Sequence, residues 1–350
     1  MHMLFITATR LGDAVISTGI LAELLRRHPG ARVTIACGPV PAELFSHVPG
    51  LERILIMEKH QYDLHWLKLW KDCVSQRWDI TVDLRGSATT LLLRSGRRLI
   101  MRGGRRPGRR IEHLAALLGQ SPPPLPTIWC SEAERAQAQA LIPTTPPIIA
   151  LGPTANWTGK IWPVERHIAL WQAISTAYPQ ARPAIFYGPG AQEAALARPL
   201  LDALPDALDL GGRFALTQTA ALLARCALYV GNDSGLMHMA AAAGTPTLGL
   251  FGPSRASEYA PAGPQAHWVA APRPPPHPPT PCLRAAPPAT PPLSLLPPPT
   301  PSQHPQHYPP PPLPSPPPPP VAPYSLSPSP PSPWPPLRPR FLPPLPPPSP

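Results

Sequence analysis

The stretch Gly231-Asn232-Asp233-Ser234-Gly235-Leu236-Met237-His238-Met239, running on through Ala240 to Ala243 into Gly244-Thr245-Pro246, decides how this chain reads. Ahead of it, Ala227-Leu228-Tyr229-Val230 is a short apolar run bounded by glycine, the pattern of a buried strand. Behind it, Leu236 to Ala243 is a short apolar helix closed by Gly244 and Pro246, and Thr247 to Phe251 is the next strand. A polar turn from strand to helix sets free N–H groups and the positive end of the helix dipole at the carboxyl edge of a parallel sheet, where phosphate-like anions bind. Asp233 and Ser234 also suit a plain N-cap role. His238, one turn along the helix, either faces the same anion or packs as a core histidine.

The same junction recurs at the start of the chain. Leu4 to Ala8 reads as a strand and Ala14 to His28 as a helix, with Thr9-Arg10-Leu11-Gly12-Asp13 between them. Strands expected at Val33 to Ala36, Arg53 to Met57, Ile80 to Leu84 and Leu99 to Met101 alternate with helical stretches near 41–47, 63–76 and 111–118. Residues 120–147, with Pro122 to Pro124, a charged helix around Glu132 to Leu141, and Pro143 to Pro147, read as a linker. The alternation restarts at Ile148 to Gly152, with helices near 164–178, 191–203 and 217–225 and strands at Ala184 to Gly188 and Leu208 to Leu210. Such alternation predicts an α/β chain of two doubly wound, Rossmann-like parallel sheets. The expected division is a first domain over 1–142, a second over 148–271, and a tail over 272–350.

Composition separates that tail from the rest. About 40 of the 63 prolines follow Ala271, where Asp, Glu and Lys are absent. So little apolar sequence cannot bury a core, and the tail is expected to be disordered. It reads either as a genuine extension of polyproline II character able to dock SH3-like partners, or as the product of a slipped reading frame; the abrupt loss of globular vocabulary favours the second. The formal charge is +11, to which the tail gives Arg273, Arg284, Arg338 and Arg340. A basic chain suits nucleic acid, anionic lipid or a phosphorylated substrate. No aromatic-interleaved basic motif supports nucleic acid. Cys37, Cys73, Cys130, Cys226 and Cys282 have neither metal spacing nor an even framework, which fits a reducing cytosol with no zinc site. Neither a signal peptide nor a membrane-spanning run is read in the sequence, so a cytoplasmic location is expected.

The string from Gly231 to Pro246, followed by Phe251-Gly252-Pro253-Ser254, resembles the donor-binding signature of glycosyltransferase family 9, the ADP-heptose:lipopolysaccharide heptosyltransferases. That resemblance implies the GT-B architecture, two Rossmann-like domains facing a cleft. It implies a donor nucleotide sugar, ADP-heptose, with no separate cofactor and no metal. It also implies an acceptor in the lipopolysaccharide core or a related anionic glycan, at the inner face of the inner membrane. Arg10-Leu11-Gly12-Asp13 matches the family's amino-terminal turn, whose Asp is the catalytic base, a role carried here to Asp13; by pattern alone Asp13 is an N-cap. Lys160, in Lys160-Ile161-Trp162-Pro163, matches the family's diphosphate-binding lysine, with Thr154 as an upstream hydroxyl contact. Leaving-group stabilisation would fall to Lys160 and to the helix start formed by Asp233, Ser234, Gly235 and Leu236. Glu193, after the turn Tyr187 to Gly190, matches a nucleoside-reading Glu, while its place at a helix start is equally good dipole chemistry.

Arg94, Arg97, Arg98, Arg102, Arg105, Arg106, Arg109 and Arg110 crowd one span near Glu112-His113. They read as a solvated basic loop, or as contacts to an anionic acceptor and anionic lipid. Two rivals remain: a GT-B enzyme using another nucleotide sugar, and a non-catalytic interaction protein acting through the tail. A dinucleotide oxidoreductase is disfavoured, because neither glycine turn reads Gly-x-Gly-x-x-Gly with an acidic residue about 20 positions on.

Overall fold

The computed structural model describes residues 1–58, 64–101 and 107–271. The tail, Cys282, and Arg102, Arg105 and Arg106 lie outside the described residues.

The first sheet holds β1 (His2–Ile6), β2 (Arg32–Cys37), β3 (Leu51–Ile56), β4 (Trp78–Asp83) and β5 (Ser95–Ile100), parallel throughout, in the order β3-β2-β1-β4-β5. Between β1 and β2 runs α1 (Leu11–Arg27); α2 (His65–Cys73) precedes β4 and α3 (Arg110–Ala116) follows β5. The second sheet holds β6 (Ile148–Gly152), β7 (Arg182–Ile185), β8 (Leu208–Asp209), β9 (Leu228–Asn232), β10 (Thr247–Phe251) and β11 (Ala266–Ala270). Its order is β11-β10-β9-β6-β7-β8, again all parallel. Helices α5 (Val164–Ala177), α6 (Ala191–Ala203), α7 (Leu216–Leu223), α8 (Gly235–Ala242) and α9 (Ala256–Tyr259) connect these strands. Each sheet reverses its winding once, between β1 and β4 and between β6 and β9, and such switch points are where doubly wound sheets bind ligands.

Three expectations change. The helical stretch near 41–47 is a single 3-10 turn, Ala42–Phe45, because Pro39, Pro41 and Pro49-Gly50 leave too few residues for α-helical turns. Beyond β10, where the sequence reading placed no further element, α9 and β11 complete another parallel unit, with Trp268 edge-on to Phe251 at 6.4 Å. Strand β11 was illegible because it is a short edge strand exposed along most of its length, with no inward-outward alternation. Residues 120–131, the first part of the expected linker, pack on α1: the Thr127 N–H donates to Thr18 Oγ1 at 2.9 Å and Gln120 Nε2 to Glu23 Oε1 at 2.8 Å. Gly19 in α1 admits this crossing, since a Cβ there would stand 2.4 Å from the Pro124 carbonyl oxygen.

The segment then enters α4 (Glu132–Leu141) through a Ser131/Glu134 capping box. Glu134 also accepts from Thr217 Oγ1 of α7 at 2.6 Å, so α4 docks on an element of the second sheet. One apolar core runs through both halves, from Phe5, Val15 and Ile20 to Tyr229, Met237 and Met239. The four described cysteines are unpaired. Among the described residues no helix is long and apolar enough to cross a membrane, and no three His, Cys, Asp or Glu side chains gather as metal ligands would.

Candidate active site

Helix α1 begins at Leu11, after the turn Thr7 to Arg10 that follows β1, where the extended Arg10 gives way to an apolar spacing that suits a helix. Asp13 falls in its first turn, and no side chain caps the helix. The capping reading of Asp13 is therefore not realised: its carboxylate, about a quarter exposed, faces the cleft with Arg110 Nε 4.0 Å away. Helix α8 starts in the same uncapped way. Ser234 is its N-cap residue but makes no side-chain capping bond. The first N–H groups of α8 are thus free of side-chain caps at the positive end of the helix dipole.

The two helix starts meet. A Cβ on Gly235 would stand 2.7 Å from Leu11 Cδ2, and one on Gly12 would stand 3.0 Å from His238 Cδ2. Glycine at both positions lets the turn after β1 approach the turn after β9. His238, 5 % exposed, fills the seam. Burial lowers its pKa, the carboxylates of Asp233 and Asp13 oppose that shift, and the Lys160 ammonium reinforces it. Histidine here is a cleft-lining group in a buried position.

Lys160 Nζ donates to Asp233 Oδ2 at 2.6 Å. The pair is well buried, Asp233 more so than Lys160. Asp233 therefore contributes no cap; its carboxylate fixes the lysine. A Lys ammonium has three donors, and this pairing occupies one. The loop that carries Lys160 is fixed by Asn232, which sequence reasoning quoted within the motif but gave no role. Its amide Nδ2 donates to the Pro153 carbonyl at 2.8 Å, and Oδ1 accepts from the Trp162 N–H at 3.0 Å. Asn232 is fully buried and so clamps both ends of the Lys160 loop to the end of β9. Underneath, the Tyr229 hydroxyl lies against Gly152 and Gly231, where a Cβ would stand 2.0 and 2.5 Å from it.

Thr154, 2 % exposed, lines the same cleft beside Lys160. Glu193 lines it farther out and accepts from the Gly188 N–H at 3.3 Å, closing the turn at Gly190, whose φ of 104° favours glycine. Gly235 and Leu236 complete the α8 lip. The arrangement brings Asp13, Thr154, Lys160, Glu193, Asp233, Ser234, Gly235, Leu236 and His238 to one open cleft of about 1380 Å³ at the carboxyl ends of both sheets.

The arginine span divides. Arg98 is tied to the carbonyls of Thr90, Leu93 and Ser95, and Arg109 reaches the carbonyls of Ala260 and Pro261 near β11. Arg94 and Arg97 are exposed, and only Arg110 of the described members lines the cleft. Arg85, not singled out from sequence, lines it as well. Its loop is built by Asp83, fully buried at the end of β4, which accepts from the N–H groups of Arg85, Gly86 and Ser87 and from the hydroxyls of Ser87 and Thr90. The signal was present as an Asp followed by a Gly-Ser turn.

Relatives bear on this cleft. Over 121 residues the chain is 33% identical to lipooligosaccharide heptosyltransferase 2 of Haemophilus influenzae, covering 33% of this chain and 34% of that protein. Over 46 residues it is 50% identical to lipopolysaccharide heptosyltransferase 2 of Escherichia coli, covering 13% of each. The matched stretches thus span about a third of these relatives or less. Among solved structures, the E. coli ADP-heptose lipopolysaccharide heptosyltransferase II superposes with a TM-score of 0.63 at 22% identity, over 77% of this chain and 90% of that one. A family 9 glycosyl transferase from Veillonella parvula gives 0.63 at 21%, over 77% and 85%. At such identities these two establish the fold, an α/β chain with two parallel sheets like those of the heptosyltransferases. The model of glycosyltransferase family 9 (heptosyltransferase) matches residues 108–284, half of the chain, and with the cleft and fold above it places this protein in that family.

Proposed function

We propose that this chain is an inverting glycosyltransferase that moves a heptose from ADP-heptose to a hydroxyl of a lipopolysaccharide core acceptor, working in the cytoplasm. The observation that carries this reading is the abutment of the two helix starts, which puts one carboxylate, one fixed ammonium and one uncapped α8 terminus in a single cleft. Asp13 takes the proton from the acceptor hydroxyl as its oxygen attacks the anomeric carbon. The bond from that carbon to the diphosphate breaks, and ADP leaves with the electron pair. The two free donors of Lys160 and the N–H groups at Ser234 to Leu236 neutralise the charge that develops. Asp233 serves by holding Lys160, Thr154 offers a hydroxyl to the same phosphates, and Glu193 keeps one oxygen for a ribose hydroxyl. His238, kept neutral by burial, adds a donor beside the phosphates without an extra charge. Arg85, Arg110 and His113 line the first sheet's side of the cleft and suit an anionic acceptor.

Thermal stabilisation of the full chain by ADP-heptose, UDP-glucose, UDP-N-acetylglucosamine and NAD at equal concentration tests the donor. A ligand at about 100 times its dissociation constant adds roughly 2.7 kcal/mol to a folded site. A shift with ADP-heptose alone is expected; a shift only with a UDP-sugar would replace the donor, and a cooperative melt unmoved by every ligand would remove donor binding altogether.

A further inference from the structure

The outward side of α2 and the neighbouring 3-10 turn Ala88–Leu92 belong neither to the cleft nor to the core. His65, Leu69 and Cys73 turn α2 inward, and Leu64, Leu67, Lys68 and Lys71 face solvent. Leu64 and Leu67 are 55% and 49% exposed, and Leu91 and Leu92 are 57% and 70% exposed. Leu93, one residue on, is 2% exposed and anchors the turn in the core with Leu69 and Cys73. Four exposed leucines on two touching elements exceed the scattered apolar residues of an ordinary surface.

The charge around them is mainly positive, although Glu58 and Asp72 lie beside Lys68. From Leu84 to Ile111 the sequence holds nine arginines and no Asp or Glu. Arg85, Arg94 and Arg97 of that span are exposed, as are Lys68 and Lys71, while Asp72, the single acid of α2, is half-buried. Arginine on an edge strand such as β5 also deters pairing with another chain, but that purpose requires no leucines at 91 and 92. Leucines flanked by an excess of cations match the interface of an anionic bilayer, with the apolar side chains at the acyl boundary and the cations among headgroup phosphates. Arg85 links this surface to the cleft, since its guanidinium sits 5.0 Å over the Trp66 ring of α2 while Arg85 also lines the cleft.

We propose that Leu64, Leu67, Leu91 and Leu92, with Lys68, Lys71, Arg94 and Arg97, form a docking surface for an anionic lipid bilayer. The surface goes beyond the transfer reaction and is independent of which sugar is donated. Co-sedimentation of the full chain with vesicles of phosphatidylethanolamine and phosphatidylglycerol, against vesicles of phosphatidylcholine alone, tests it at low and raised salt. Partition to the anionic vesicles that weakens with salt is expected. The variant Leu91→Glu/Leu92→Glu should bind them about tenfold or more weakly with an unchanged melt, and the milder Leu91→Ser/Leu92→Ser should show an intermediate loss. Arg182→Glu, an exposed charge reversal on β7, should bind as the parent does. Equal binding to both vesicle types, an undiminished Leu91→Glu/Leu92→Glu variant, or an equal loss in Arg182→Glu would overturn the proposal. So would a dimer in solution that Leu91→Glu/Leu92→Glu converts to monomer, because a second copy would then cover the leucines.

Discussion

Replacing Lys160 by alanine strands the Asp233 carboxylate, 6% exposed, without the ammonium that now stands 2.6 Å away. Uncompensated buried charge is expensive, and for a pair with one partly exposed member a loss of about 2 kcal/mol is expected in denaturant unfolding. Adding Asp233→Asn to Lys160→Ala should recover most of that stability but none of the donor-induced thermal shift, which separates the structural part of the pair from its phosphate chemistry. Asp13→Asn is a different kind of change. Its carboxylate lines the cleft and makes no capping bond, so stability and donor binding should hold while turnover falls about 100- to 10,000-fold, the usual worth of a general base. Turnover within threefold of the parent would remove Asp13 as the base. At this scale the sequence exposed Asp13 and the Asp233 turn because each lies at a strand-to-helix junction with local signals. It hid the work of Asn232, because its partners Trp162 and Pro153 are 70 and 79 residues away in the chain.

Among the elements, β6 and β9 come together at Gly152 and Gly231, side by side in register, with the Tyr229 side chain over both. A Cβ at Gly152 would lie 2.0 Å from the Tyr229 hydroxyl and 2.8 Å from the ring, and the tyrosine is fully buried with no room to swing aside. Gly152→Ala should therefore destabilise the protein by about 2 kcal/mol, in the range for overpacked cores. Gly152→Ala combined with Tyr229→Phe should regain part of the loss, since the hydroxyl is the nearest clash. Unfolding midpoints of the two single variants and the double variant measure this coupling; strictly additive effects would contradict the packing described. The elements themselves were legible where period and punctuation agreed, as in α1 with its apolar stripe ended near Pro29-Gly30 and in β10 between Pro246 and Gly252. They were illegible where a strand is exposed, as β11 is, or where prolines shorten a helix to one turn, as at Ala42–Phe45.

Across the whole molecule, stability depends on groups that must stay neutral inside it, and His167 is the clearest case. It sits fully buried in α5, edge-on to Trp162 at 5.0 Å, and neither ring nitrogen has a hydrogen-bond partner. Burial pushes its pKa down to about 4. In the unfolded chain an ordinary histidine titrates near 6.5, so between those values the unfolded state binds a proton that the folded state refuses. Stability is then full above about pH 6.5, declines as the pH falls, and levels off below about 4 once both states are protonated. A separation of about 2.5 units corresponds to about 3 kcal/mol over the window. Burial lowers the pKa of His238 as well, which steepens the same slope. His167→Leu removes the titrating ring and two unpaired polar atoms from the core while keeping an apolar side chain of similar reach. Its unfolding free energy, followed in urea from pH 7.5 to 4, should therefore start near the parent's and fall less steeply, opening a gap of about 3 kcal/mol at the acid end. Parallel curves for the two proteins would mean that His167 is protonated in the folded state, with a partner that its buried surroundings do not provide.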